Sequence, residues 1–252
     1  MRRGIPYPRL VGLRDNVGLA YQNSRVSAWE RELVPNLTQS ELQRGVRILA
    51  RRDPDLARIY REYGHPPLWA RTPGFPTLVH IILEQQVSLA SAKAAFDRLI
   101  VACGGRLTPT RLLALTDEEM LRVGFSRQKA GYARELARAI IRRRFKPAAL
   151  LAMPDEAVRE ALVAHKGIGP WTADIYLLMV LMRPDVWPQG DLALAIAVQS
   201  AKNLSSRPTY AELAEMAQVW KPWRAVAARL FWHYYLSRKS RPENTPPTVV
   251  TP

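Results

Sequence analysis

Between residues 36 and 238 the apolar positions recur at spacings of three and four, the pattern of helices that turn one face to a core. In "PTLVHIILEQQ", Leu78, Ile81 and Ile82 share such a face, and "SRQKAGYARELARAIIRRRF" sets an apolar stripe against a basic one. Start signals recur at the right places. Thr38 to Glu41, Thr116 to Glu119 and Thr209 to Glu212 read as capping boxes, and Asp53-Pro54 opens "DLARIYREY", which Gly64 stops. "SLASAKAAFDRLIVACGG" opens at Ser88 and ends on a glycine pair. "PDEAVREALVAH", "PWTADIYLLMVLM", "DLALAIAVQSA" and "WRAVAARLFWHYYLSR" continue the series. No stretch alternates with period two, and no internal repeat occurs. The pattern predicts an all-α chain of about ten helices in one compact unit. An irregular segment over 1–35 precedes it, and a Pro/Ser/Thr-rich tail over 239–252, expected to be mobile, follows it.

Composition narrows the class. With 252 residues, 48% of them hydrophobic, the chain can bury a real core and is not globally disordered. Its 37 Lys and Arg against 22 Asp and Glu leave a net charge of +15, which points to a polyanion: nucleic acid first, an anionic membrane surface second. An Arg-rich proteome would give the same excess without any such partner. Cys103 is the one cysteine, which excludes an internal disulfide framework, a Cys-rich zinc site and a four-cysteine iron–sulfur cluster. Reducing cytoplasm is the expected compartment. "MRRGIPYPRLVGLRD" has charge but no apolar run, so it makes a poor signal peptide, and "IYLLMVLM" is only core-helix length.

"HKGIGPWTA", residues 165–173, concentrates permissive backbone between two predicted helices, one over 155–165 and one starting near Pro170. Gly167 and Gly169 are both able to take positive φ around Ile168, and the second helix aims its unpaired N–H groups at the turn. A plain corner, a phosphate cradle and one wall of an active site all fit this stretch; Lys166 and the net charge favour the cradle. Downstream, "RPDVWPQGD" interrupts the chain and sets Asp191 directly before "LALAIAV". Asp191 reads either as a helix N-cap or as a functional carboxylate.

The run "LVAHKGIGPWTADIYLLMVLMRPDVWPQGDLALAIAV" resembles the helix–hairpin–helix DNA glycosylases, in which a G-[IV]-G hairpin precedes a catalytic aspartate by about twenty residues. "ILEQQVSLASAKAAF", "GFSRQKAGYARELARAI" and "WKPWRAVAARLFWHY" are similar to further family segments in the same order, the last to the 3-methyladenine DNA glycosylase II branch. The resemblance runs from Gly45 to Tyr235. It implies an all-α helix–hairpin–helix glycosylase fold in two lobes around a DNA-facing cleft, over residues 36–238 with the hairpin in 155–182. It departs from the branch in leaving no room for an N-terminal mixed α/β domain, for whose pocket contact Tyr7 and Trp69 are the candidate replacements.

What the resemblance implies residue by residue is specific. Asp191 is the catalytic carboxylate. Trp171 and Trp232 are the walls of the base pocket, with Tyr176 a weaker candidate because the family's tyrosine position falls on Ile175. Trp220 and Trp223 read as core aromatics. Gln86 is the wedge that fills the vacated stack, and Gln85 is its neighbour; Lys166, Gly167, Ile168 and Gly169 complete the DNA-binding set. Trp171 stands where bifunctional relatives carry a lysine, which implies a monofunctional hydrolase that uses water. No general acid is evident: the leaving base is already cationic, and His165 reads as structural or phosphate-facing. A monovalent cation held by the backbone carbonyls of Val163, His165 and Ile168 is possible by resemblance, but no cofactor or metal is expected. The implied partner is duplex DNA containing alkylated bases such as 3-methyladenine and 7-methylguanine, bound by a monomer in the cytoplasm at the nucleoid, with no membrane. The rival readings are a non-catalytic helix–hairpin–helix module that only grips DNA, and a basic RNA-binding protein, against which the lack of an RNA-module motif counts.

Overall fold

In the computed structural model, which describes residues 36–240, every regular element is helical. The expected irregular segment over 1–35, Tyr7 within it, and all but the first two residues of the expected tail lie outside the described residues. Twelve α-helices occur among the described residues: α1 (Gln39–Arg52), α2 (Pro54–Tyr63), α3 (Phe75–Glu84), α4 (Leu89–Ala102), α5 (Pro109–Ala114), α6 (Asp117–Val123), α7 (Arg127–Ile141), α8 (Asp155–Val163), α9 (Pro170–Met179), α10 (Leu192–Ala201), α11 (Tyr210–Met216) and α12 (Arg224–Ser240). Two 3-10 helices, Pro147–Ala152 and Ala217–Trp220, interrupt them. The count exceeds the expected ten in part because a helix as short as α5, six residues long, is too short to carry a period. None of the described helices is long and apolar enough to cross a membrane.

The local signals act as their chemistry requires. Thr116 and Thr209 form reciprocal capping boxes with Glu119 and Glu212. Thr38 accepts the Glu41 N–H at 3.2 Å, but the Glu41 carboxylate turns to Arg44 at 3.5 Å, so that box is only half made. The helix α9 ends at Met179, three residues before its apolar run does, because tertiary donors take its last carbonyls. The Arg229 guanidinium binds the Leu178 carbonyl at 2.8 Å and the Arg71 N–H binds that of Met179 at 2.8 Å.

Packing divides the helices into two groups within this unit. In one, α3 to α7 contact one another; in the other, α1, α2 and α10 pack on α12. Helix α9, with Ala173, Ile175, Tyr176, Leu177 and Leu178 all buried, packs against α3 and α8, and Arg229 of α12 reaches its Leu178 carbonyl. Trp220 and Trp223 are core residues, 1% and 4% exposed, as expected. Trp220 donates its indole N–H to Asp53 at 2.8 Å, where Lys202 also reaches the carboxylate at 3.1 Å. Burial opposes the Asp53 charge, yet the Trp220 and Lys202 donors hold its pKa below the ordinary 3.8.

Candidate active site

The hairpin joins α8 to α9. Gly167 takes φ +86°, and a Cβ there would lie 2.1 Å from Tyr132 Cδ2, so both backbone and space demand glycine. Gly169 does not use the positive φ open to it: it sits at φ −93° as the N-cap of α9, and nothing lies within 4 Å of an added Cβ. The fold makes no internal demand for that glycine; it leaves the N-terminus of α9 uncovered. Ile168 is 3% exposed and anchors the turn, its N–H bound to the His165 carbonyl at 3.0 Å. That bond engages one of the three carbonyls named for a monovalent cation. Lys166 is exposed. The His165 ring meets Phe145 edge-on at 4.4 Å, and burial pushes its pKa down, so it is a packing residue of the hairpin. No acidic, His or Cys cluster able to hold a metal occurs among the described residues.

Asp191 is delivered by the loop that follows α9. Within α9, Asp174 is buried, bound by Arg159 Nε of α8 at 2.8 Å and by the Gln189 N–H at 3.2 Å, which ties that loop down two residues before Asp191. Burial pushes the Asp174 carboxyl up, against the opposing pull of Arg159. Asp191 is 8% exposed and caps α10, its Oδ1 accepting the Leu194 N–H at 2.8 Å. The same oxygen accepts the Trp232 indole N–H at 3.2 Å, and Oδ2 accepts that of Trp171 at 2.9 Å. The cap reading therefore holds, and the same carboxylate is the point where the two named tryptophans converge. Unlike Asp53, it makes no ion pair among the described residues, so its charge is oriented by three N–H donors without being neutralised.

Trp171 is half-buried and Trp232 is 7% exposed. Trp69 meets Trp232 edge-on at 6.3 Å and holds φ +49°, a left-handed backbone rare for a large side chain. Anchors bracket it: Arg229 Nε donates to the Leu68 carbonyl at 2.9 Å, and the Arg71 side chain forms a two-pronged pair with Glu84 at 2.8 and 2.9 Å. Arg229 is fully buried and bound to three backbone carbonyls; burial lowers its pKa to about 9. Sequence reasoning missed it, since an arginine among helix-formers reads as a surface residue. Tyr176 is corrected. It is 0% exposed in the core of α9, with burial pushing its phenol up, so it presents no surface where a pocket wall was expected.

The turn between α3 and α4 presents Gln86, exposed at φ +57°, beside Val87 at 48% and Leu89 at 57% exposure. Gln85, the wedge's neighbour in the DNA-binding set, turns its side chain inward. Its side-chain amide donates inward, to the Gly167 carbonyl at 2.8 Å and to Thr172 Oγ1 at 3.0 Å. Lys129 of α7, not singled out from the sequence, donates to the carbonyls of Leu83 at 2.8 Å and Gln85 at 2.7 Å.

Comparison with known proteins gives this arrangement a family. The family profile described as HhH-GPD superfamily base excision DNA repair protein matches residues 79–224, more than half of the chain. The chain is 26% identical over 216 residues to DNA-3-methyladenine glycosylase 1 of Schizosaccharomyces pombe, covering 81% of this chain and 90% of that protein. It is 26% identical over 169 residues to a DNA-3-methyladenine glycosylase of Bacillus subtilis, covering 63% of this chain and 56% of that one. It thus spans little more than half the length of the Bacillus relative. Among solved structures, the S. pombe 3-methyladenine DNA glycosylase in complex with abasic DNA is similar, with a TM-score of 0.71 at 25% identity, covering 78% of this chain and 97% of that one.

Proposed function

Because the chain belongs to the HhH-GPD superfamily of base excision DNA repair proteins, we propose that it is a monofunctional DNA glycosylase that flips alkylated purines out of duplex DNA and releases them by hydrolysis. One observation carries the reading: a nearly buried carboxylate, Asp191, with no cationic partner among the described residues, receives the indole N–H groups of Trp171 and Trp232.

In this reading the uncovered start of α9 and its N–H groups take a backbone phosphate at Gly169, with Lys166 beside it. Gln86 fills the space the extruded nucleotide leaves. The base rests against Trp171 and Trp232, where a cationic ring gains about 0.5–2 kcal/mol per aromatic contact. The bond from the sugar C1′ to the base nitrogen breaks with its electron pair leaving on the base, which departs neutral. Asp191 stabilises the positive charge left on the sugar, and water adds to C1′ and gives up a proton. An alkylated purine is itself a good leaving group, so no acid is needed. With tryptophan at 171 no amine stands there to attack C1′, so no Schiff base forms and no strand is cut.

The test is incubation of the protein with methylated duplex DNA, mass spectrometry of released bases, and borohydride trapping in parallel. Free 3-methyladenine and 7-methylguanine without a covalent complex support the reading. A trapped complex overturns the monofunctional assignment, and binding without release leaves a module that only grips DNA.

A further inference from the structure

The inward direction of Gln85 and the unannounced Lys129 raise a question that the catalytic reading does not answer: what holds the exposed Gln86 turn against the force of a closing base stack? A common helix end would put a glycine in the left-handed position after α3 and satisfy the last carbonyls with the backbone N–H groups that follow. Here Gln86, a residue with a long side chain, sits at φ +57°, and the carbonyls on either side of the α3 end, those of Leu83 and Gln85, are both taken by Lys129 Nζ. The ammonium has no acid partner among the described residues, and burial pushes its pKa down. One turn along α7, Tyr132 lies directly over Gly167 of the hairpin, so close that no Cβ fits between them. Gln85 closes the circuit, its amide joined to the Gly167 carbonyl and to the buried hydroxyl of Thr172 in the first turn of α9.

We propose that Gln85 and Lys129 are positioning residues that lock the Gln86 turn to the hairpin, so that the wedge and the phosphate-gripping backbone meet DNA as one rigid body. The proposal rests on the base-flipping reading above. The first two turns of α7 are the base plate: Lys129 holds the turn and Tyr132 holds the hairpin, while Gln85 ties the two directly. Neither Gln85 nor Lys129 touches the base or the sugar. Their work is to fix the distance between two contacts on one duplex, and small errors in such spacing cost far more in rate than in binding. A wedge on a loose turn would still rest on DNA, but it would yield when the stack closes.

The test separates docking from extrusion. Gln85→Met keeps the length of the side chain and removes its donors; Lys129→Met removes the second tie, and Lys129→Arg restores donors. Each is measured for affinity to undamaged duplex, for extrusion by the fluorescence of 2-aminopurine stacked next to the lesion, and for single-turnover excision. Gln85→Met is expected to bind undamaged duplex within about twofold of wild type while extrusion and excision fall at least about tenfold. Lys129→Met is expected to lose extrusion similarly, with Lys129→Arg recovering part of it. Should Gln85→Met fail to fold, Thr172→Val removes one of its two acceptors and is expected to show a smaller loss of the same kind. Wild-type extrusion in a folded Gln85→Met protein overturns the lock, as does an equal loss in docking and extrusion. Extrusion does not require bond cleavage. A wild-type protein that extrudes but releases no base therefore refutes the glycosylase reading while the fluorescence still judges the lock, and one that does not extrude overturns both.

Discussion

Replacing Asp191 by asparagine is the obvious probe of the carboxylate, and the hydrogen bonds around it make the outcome more informative than a loss of charge. Asparagine caps a helix about as well as aspartate. Its amide oxygen can keep the Leu194 N–H and the Trp232 indole on the Oδ1 side, at 2.8 and 3.2 Å. The amide NH2 then occupies the Oδ2 position and faces the Trp171 N–H, a donor against a donor at 2.9 Å. Flipping the amide only moves the conflict to the helix cap. Leaving such a group unpaired costs about 1–3 kcal/mol, so Asp191→Asn is expected to melt measurably below wild type. Trp171→Phe removes the opposing donor. In Asp191→Asn/Trp171→Phe the stability loss is therefore expected to fall short of the sum of the single losses, with a coupling on the order of 0.5–3 kcal/mol. Excision should not be rescued in parallel. Relative to Trp171→Phe, the double variant still lacks the negative charge, and its single-turnover rate is expected to drop by at least about 10²-fold, or roughly 2.7 kcal/mol of transition-state stabilisation. The drop should be smaller for a cationic 7-methylguanine than for neutral hypoxanthine, whose bond needs more help. Thermal melts and single-turnover excision on the four proteins decide the matter. If the double variant excises as fast as Trp171→Phe, the carboxylate charge is not catalytic; if Asp191→Asn melts with wild type, the Trp171 bond does not exist as described.

Other expectations reach different parts of the molecule. Binding to undamaged duplex should weaken steeply with salt, with a log–log slope of about −4 to −5 if about five phosphates are neutralised; a flat response in a filter-binding titration would point away from DNA. The two hairpin glycines should part company. Gly167→Ala meets Tyr132 at 2.1 Å and a φ of +86°, and should lower the melting temperature, whereas Gly169→Ala should fold as wild type and lose duplex affinity. Equal melting curves for the two would contradict this geometry. Asp53, held below its ordinary 3.8, contributes stability that is present above that value and lost as pH falls through the lower folded-state value. Asp53→Asn should therefore melt below wild type by a constant margin at neutral pH, and the margin should close in acid below about pH 4; an unchanged margin there would refute the pairing with Lys202 and Trp220.

Much of this protein was legible one segment at a time. Threonine, serine and aspartate caps, proline starts and glycine stops are local chemistry, so most helices fell near their expected positions, and Asp191 read correctly as the cap of α10. The family resemblance then picked out Trp171 and Trp232 from the other tryptophans. The direction of a side chain across the fold was not legible in this way. Gln85 and Gln86 are the same residue side by side, yet one points at a carbonyl 82 positions away and the other at solvent, a choice set by where α7 and the hairpin pack. Tyr176 lies on a helix buried all round, where period distinguishes no face, so only packing could say that it is fully covered. Arg229 and Lys129 look like surface cations in a helical pattern; that one is buried and the other half-buried is decided by carbonyls from segments distant in sequence. Residues 171, 191 and 232 share one hydrogen-bonded centre because the starts of α9 and α10 meet the middle of α12 at the same place. Local rules act over a few residues, whereas the meeting of those elements depends on the packing of the whole core, which no single stretch of the chain encodes.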